Sequence, residues 1–429
     1  MQVRDPIHGA IELSPPETRV ADHRWVQRLR GIRQTGFSQM AFPGATHTRY
    51  MHSLGVMHLA GIAFDHAYRE WTFDRPDARA RLRSCVRIAA LCHDIGHGPF
   101  SHCMEFAMPD VAALGLTWVT PASGRATHED YSIAILQHTD LGAVIDRECP
   151  FTARHVAALI RGDLAPGDDL FGDGGLDHRR LLSQIVSSEL DVDRMDYLVR
   201  DAFFTGARYG QVDTDWLLGN LTTWVAHGQV NLALQGRAVY AFDHFLLARH
   251  HMFLMVYFHH KSVIYEELLR RHVDISGGWA VPADLDAYLA TDDVALVAHL
   301  RSSDDVWAAR IVQRRPYRRV VERHGSAREA DLSAVIGQLT DAGIDTIGAA
   351  SRGRLSRYQG VGAKRRSAPA IYVLERTPGL PIDRVRALTE ASQVFDRYAD
   401  ERVISRVYVP ESDVDRARGL LSGGGSISG

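Results

Sequence analysis

The sequence predicts a mostly α chain, a large helical core followed by a small α+β lobe near the C-terminal end. From about residue 15 to residue 275, apolar side chains recur at spacings of three and four. Past residue 345 the texture shifts to short runs rich in β-branched residues, set among Gly, Ser and Arg. A chain of 429 residues is also long enough for one dominant core and an appended smaller unit.

Taken in order, residues 86–92, 131–137 and 180–197 carry the helical spacing best. The stretch Gly124-Arg125 and the Asp- and Gly-rich residues 162–175 read as surface loops. In residues 229–242, Val230-Asn-Leu-Ala-Leu and Ala238-Val-Tyr-Ala-Phe flank Gln235-Gly236 like the arms of a hairpin, with helices resuming at Asp243. Residues 348–362 read as Gly-, Ser- and Arg-rich coil, and the basic run Lys364-Arg-Arg366 just beyond reads as a surface loop. Residues 370–374 and 403–409 then read as strands around a helical 382–398. The expected division is a core at 1–345, a strand-helix-strand lobe at 346–421 and a disordered tail at 422–429.

Hydrophobic residues make up 45% and charged residues 24%, and the formal charge is −3. Such a balance exerts no global pull toward nucleic acid or an anionic membrane, so any polyanion must be held by local basic groups, and nucleic-acid binding stays open. No run approaches eighteen apolar residues and the N-terminus lacks a signal-peptide pattern, from which a cytoplasmic location is expected. Cys85, Cys92, Cys103 and Cys149 form neither a disulfide framework nor a C-x-x-C pair and read as core residues.

The most informative stretch is Leu91-Cys-His-Asp-Ile-Gly-His-Gly-Pro-Phe-Ser-His102, with three histidines and a carboxylate in twelve residues. His93 and Asp94 are adjacent and suit one cation, His97 shares a helix face with His93 by its spacing of four, and Gly98-Pro99 breaks the helix before His102. A lone His-Asp pair means little among 22 histidines, where a hydrogen-bonded core histidine is the commoner fate. Upstream His52 and downstream Asp193 change that, because two imidazoles and two carboxylates without thiolate suit one hard or borderline divalent ion, Mn²⁺, Fe²⁺ or Mg²⁺. Arg49 precedes His52 by three residues, which on a helix lets it hold phosphate over the same cleft, unless it is a solvated helix charge. Asp193, Tyr197 and Asp201 fall at four-residue spacing with Arg194 beside them.

The set His52, His93-Asp94 and Asp193 resembles the ligand pattern of the HD-domain metal phosphohydrolases. Asp5-Pro-Ile-His-Gly9, Gln27-Arg-Leu-Arg30, Phe42-Pro-Gly-Ala45, Arg49-Tyr-Met-His52, the His93–His102 run and Asp191-Val-Asp-Arg-Met-Asp-Tyr197 narrow the resemblance. They are similar to the dNTP triphosphohydrolase branch, which includes the vertebrate SAM-and-HD-domain dNTPase and bacterial dGTPase-like enzymes. The resemblance implies attack of metal-held water on the α-phosphate of a dNTP, releasing deoxynucleoside and inorganic triphosphate. It implies metal ligands His52, His93, Asp94 and Asp193, phosphate and proton-transfer roles for His97, His102 and His128, and contacts to sugar and phosphate from Gln34, Arg194, Tyr197 and Asp201. In Val256-Tyr-Phe-His-His-Lys261 it implies an aromatic residue at the sugar and a phosphate-reaching Lys261, with Tyr257 and Phe258 both open for the aromatic position. Asp22, Gln27 and Arg30 match positions that bind an activating nucleotide in relatives, whereas Arg4 and the run Arg314-Arg-Pro-Tyr-Arg-Arg319 match poorly, so activation and a plain solvated charge run both stay open. A homo-oligomer is implied, and no membrane partner.

Other functions share these residues. An HD site can remove phosphates stepwise from a nucleotide or nucleoside analogue. A nucleotide-sensing or nucleic-acid-binding module with a vestigial site would be expected to have lost a ligand. A di-iron oxidative site would need extra ligands, for which His97 and His102 are available.

Overall fold

The computed structural model describes residues 1–120, 123–277, 279–353, 371–376, 382–397 and 402–423. Among these the architecture is predominantly helical, and the helices that build the core come from the first two thirds of the chain. Arg49–Ala67 is the central helix, almost wholly buried, packed on Ala78–Cys92 and on Val192–Thr205. A helix hydrophobic on all sides must lie inside, and that burial makes any polar group it carries conspicuous.

The helix Ala78–Cys92 ends one residue before His93, so His93 to Gly96 form turns. His93 and His97 therefore do not share a helix face, and loop backbone aims them instead. Residues 180–197 are two helices, Arg179–Val186 and Val192–Thr205, and the second starts where Asp191 caps the backbone of Arg194. The hairpin lies earlier than its expected place: Leu221–Ala226 pairs antiparallel with Gln229–Gln235 around His227-Gly228, and the next helix, Val239–Met252, takes in residues expected to be a strand.

Toward the C-terminus, residues 347–353 are strand rather than coil, and Arg402–Val409 is the middle strand between it and Arg318–Gly325. Residues 382–387 are strand rather than helix and pair with Tyr372–Arg376, which joins Gln229–Gln235 in parallel. Short helices follow at Leu388–Ala391 and Val394–Arg397. Residues 422 and 423 close the last helix, Val414–Gly423, where a tail was expected, while Lys364-Arg-Arg366 and 424–429 lie outside the described residues. No described helix is long and apolar enough to cross a membrane.

Candidate metal and phosphate site

Three elements meet at one point. The central helix carries Arg49 and, one turn on, His52; the turn after Cys92 carries His93 and Asp94; the first turn of Val192–Thr205 carries Asp193. His52 Nε2 lies 3.0 Å from Asp193 Oδ1 and 3.6 Å from Asp94 Oδ2. His93 Nε2 lies 3.4 Å from Asp94 Oδ1 and 3.6 Å from Asp193 Oδ1. Neither Nε2 atom has a hydrogen-bond partner with proper geometry among the described residues, although both are buried. Their other ring nitrogens are committed: His52 Nδ1 donates to Asp196 at 2.8 Å and His93 Nδ1 to the Ala90 carbonyl at 2.7 Å. Orphaned Nε2 lone pairs, fixed by Nδ1–H donors and facing two carboxylates, are the arrangement a divalent cation requires.

The electrostatics agree. Burial works against a charged His52, yet the carboxylates of Asp193 and Asp196 outweigh it and lift the imidazole to about 10. Burial likewise opposes ionised Asp94, but Arg49, His93 and His97 hold it well below the carboxylate range. A cluster that grips a proton this firmly favours positive charge at its centre.

Beside it stands a second group. The rings of His97 and His128 stack at 3.9 Å, and His102 stands edge-on to both. Glu105 Oε1 accepts from His128 Nδ1 at 2.6 Å and from His102 Nδ1 at 2.9 Å. Burial first, and then Arg49 and His128, push His97 well down, and burial also lowers His102 despite Glu105. Arg49 links the two groups, donating to Asp94 and, at 2.8 Å, to Ser101 Oγ.

Arg49, His93, Asp94, His97, His102, His128 and Asp193 line a cavity of about 600 Å³, with His52 and Glu105 behind its wall. Farther along it lie Gln34, Arg194, Tyr197, Asp201 and Tyr257, where the Tyr257 hydroxyl donates to Asp201 Oδ2 at 2.7 Å and His47 donates to the other oxygen at 2.7 Å. Phe258 also lines the cavity. Lys261 is exposed and outside the cavity lining; Arg249, which donates to the Tyr197 hydroxyl at 3.3 Å, is the base found on that wall. Gln27 and Arg30 lie outside the cavity lining, Arg30 donating to Gln27 at 2.7 Å and covering the Tyr50 ring, while Asp22 is exposed at the end of Pro15–Ala21. Sequence reasoning did not single out Asp196, Glu105 or Arg249. Asp196 had a signal, an acid inside the quoted Asp191–Tyr197 motif, whereas Glu105 and Arg249 had none beyond residue type.

Residues 49–201 match the HD domain family and residues 212–344 the HD associated region. Human deoxynucleoside triphosphate triphosphohydrolase SAMHD1 is 34% identical over 221 residues, 48% of this chain and 33% of the human protein. An uncharacterized protein of Methanocaldococcus jannaschii is 31% identical over 320 residues, 74% of this chain and 59% of that protein. The chain thus spans 59% and 33% of the length of these curated relatives. Among solved structures, a hypothetical protein from Aquifex aeolicus superposes with TM-score 0.74 at 22% identity, covering 98% of this chain and 99% of that one. A phosphohydrolase from Bacteroides thetaiotaomicron gives TM-score 0.68 at 21% identity, covering 96% and 99%. At such identities the structural likeness is one of fold.

Proposed function

The chain is an HD-domain protein of the phosphohydrolase family, and on that premise we propose that it hydrolyses deoxynucleoside triphosphates, in a metal-dependent reaction, to deoxynucleoside and inorganic triphosphate. One observation carries the reading: two orphaned imidazole Nε2 atoms and two carboxylates meet beneath an arginine and histidine rim, in a cavity that runs on to Tyr197, Asp201 and Tyr257. A volume of about 600 Å³ suits a nucleotide-sized ligand.

His52, His93, Asp94 and Asp193 would hold the ion, with Mn²⁺, Fe²⁺ or Mg²⁺ matching their donors. When bound, it polarises a phosphoryl oxygen and lowers the pKa of coordinated water. Arg49 and Arg194 offer cationic donors to the phosphates, and their ion pairs with Asp94 and Asp191 orient them before substrate arrives. His97 and His128 form a stacked wall against a phosphoryl group. His102 lines the cavity beside His97 and His128, where its ring would give a proton to the departing 5′-oxygen. The negative charge of a bound phosphate favours its protonated form. Tyr197, Asp201, Tyr257 and Gln34 would receive the sugar. Human SAMHD1 carries the same activity in its name, which supports the substrate class.

Incubation with each dNTP and Mn²⁺, followed by anion-exchange separation, is expected to give inorganic triphosphate and deoxynucleoside in equal amounts. Orthophosphate with dNDP would instead establish stepwise removal. His93→Ala is expected to abolish both Mn²⁺ uptake and turnover; a variant that keeps both overturns the metal assignment. Asp22, Gln27 and Arg30 form the proposed activator subsite on a homo-oligomer. Stimulation by a second nucleotide that Arg30→Ala removes, without loss of basal turnover, is the outcome expected there.

A further inference from the structure

The buried carboxylate of Asp196 has no part in the reaction described above, yet its hydrogen bonding reaches directly to a candidate metal ligand. It is fully buried and takes four donors. His52 Nδ1 donates to Oδ2 at 2.8 Å, His8 Nε2 to Oδ1 at 2.6 Å, and Arg200 donates through Nε at 2.8 Å and an NH2 group at 2.9 Å. Arg200, itself buried, continues to Asp5 at 2.8 and 3.2 Å. Asp5 Oδ1 in turn accepts the backbone N–H groups of Ile7 and His8, each at 2.9 Å, which shapes the turn between the strands Gln2–Asp5 and Gly9–Glu12.

We propose that Asp196 is the positioning residue of metal ligand His52, and that the N-terminal turn residue His8, with the Asp5–Arg200 pair, holds Asp196 in place. This inference rests on the metal reading of the site. The physical argument begins with the ring. An imidazole binds a cation through one nitrogen only when the other carries the proton, and a carboxylate at Nδ1 fixes that tautomer, aims Nε2 and raises its basicity. A buried carboxylate with one imidazole donor would be costly; Arg200 supplies the compensating charge and His8 satisfies the remaining lone pairs. Space has been cleared for it as well. Gly55 lies on the face of the central helix turned toward Asp196, and a Cβ there would overlap Asp196 Oδ1 and the Arg200 guanidinium. The motifs Asp5-Pro-Ile-His-Gly9 and His52-Ser-Leu-Gly55, far apart in sequence, are thus joined at one carboxylate.

The test compares Mn²⁺ affinity, by calorimetry or chelator competition on the full chain, with melting temperature and with substrate KM at saturating Mn²⁺. Asp196→Asn is expected to weaken Mn²⁺ binding by roughly 10- to 100-fold, the range usual for losing the acid behind a metal-bound histidine, while KM at saturating metal stays unchanged. His8→Gln, at a partly exposed position less able to upset folding, is expected to weaken Mn²⁺ binding several-fold with little change in melting temperature. Wild-type affinity in a folded Asp196→Asn chain overturns the proposal; should that variant not fold, wild-type affinity in His8→Gln does so. A wild-type chain that takes up no Mn²⁺ overturns this inference together with the metal reading, whereas equal uptake by wild type and both variants overturns this inference alone.

Discussion

Tyr257 donates its hydroxyl to Asp201 at 2.7 Å and stands 6.4 Å, ring centre to ring centre, from Tyr197, so its ring closes the cavity where a sugar would lie under the proposed function. Burial, followed by the Asp201 carboxylate, lifts its phenol well above the usual value, so the hydroxyl stays a donor. Removing the ring is expected to widen the space beside the 2′-carbon. Tyr257→Ala should lower the dATP over ATP ratio of kcat/KM about tenfold, the usual scale for a lost packing contact in a specificity pocket. An unchanged ratio would mean that another group excludes the 2′-hydroxyl. The choice between residues 257 and 258 was hidden in the sequence for a definite reason: Phe253–Tyr257 is a π-turn, with the Phe258 N–H reaching the Phe253 carbonyl at 2.9 Å. Such a turn inserts one residue into a helix and so offsets the positions after it by one, which residue types alone do not reveal. The metal-site candidates stood out by residue type and motif. Asp196 meets the His52 ring, 144 positions away, and Glu105 the His128 ring, 23 away, only in three dimensions, and no spacing rule reports those pairs; His102, three residues before Glu105, is the one ring near in sequence.

At the scale of elements, the helix Pro15–Ala21 is fastened to Ala78–Cys92 by Glu17 and Arg87. Both are buried, and the guanidinium donates to the two carboxylate oxygens at 2.5 and 3.0 Å. Glu17 also closes a capping box with Ser14. Burial raises the Glu17 pKa, but Arg87 and Ser14 outweigh it and the net shift is downward from 4.5. A depressed carboxylate contributes stability that is complete above its unfolded pKa and lost as pH falls through the folded one. Glu17→Gln is therefore expected to cost about 3 kcal/mol at pH 7, with the gap from wild type narrowing below pH 4.5 in urea titrations. A gap that holds constant to pH 3 would remove the ion pair as its source. Helices with long apolar periodicity were legible; turns and strands near the end were not. Both His227-Gly228 and Gln235-Gly236 carry the residue-plus-Gly signal of a hairpin, and only the former has both residues at positive φ, 52° and 72°. Ile382 and Val385 keep a helical spacing of three inside a strand because the pairing register shifts between Ile382 and Arg384, inserting a residue as a bulge does.

Across the whole molecule, the HD associated region holds the turn that carries the histidines. The Tyr288 hydroxyl donates to the Gly96 carbonyl at 2.8 Å, and Arg28 ties the His97 carbonyl, at 2.7 Å, to the Tyr288 and Thr291 carbonyls. Asp293, at the start of Asp293–Ser302, accepts the N–H of Phe100 at 2.6 Å and that of Arg33 at 3.1 Å. Phe100 and Ser101 need such restraint, since both hold left-handed backbone, φ 53° and 60°, which costs a side-chain-bearing residue of order 1 kcal/mol or more. Burial lifts the Asp293 carboxyl to about 6 against the pull of those two N–H groups. A raised carboxylate pKa means that the folded state holds its proton longer than the unfolded chain, so this residue's contribution to stability falls as pH rises from about 3.8 to about 6. Asn cannot ionise, and its carbonyl can still accept the Phe100 N–H. The stability of Asp293→Asn relative to wild type is therefore expected to improve by up to about 3 kcal/mol between pH 4 and pH 7, read from urea midpoints at each pH. Its amide NH2 faces the Arg33 N–H without accepting it, so the same variant should loosen the Arg33 end of this link, faster amide exchange at Arg33 accompanying a lower kcat with Mn²⁺ affinity kept. A relative stability that does not change with pH would show that Asp293 stays ionised through that range, and turnover equal to wild type would show that the turn is held without it.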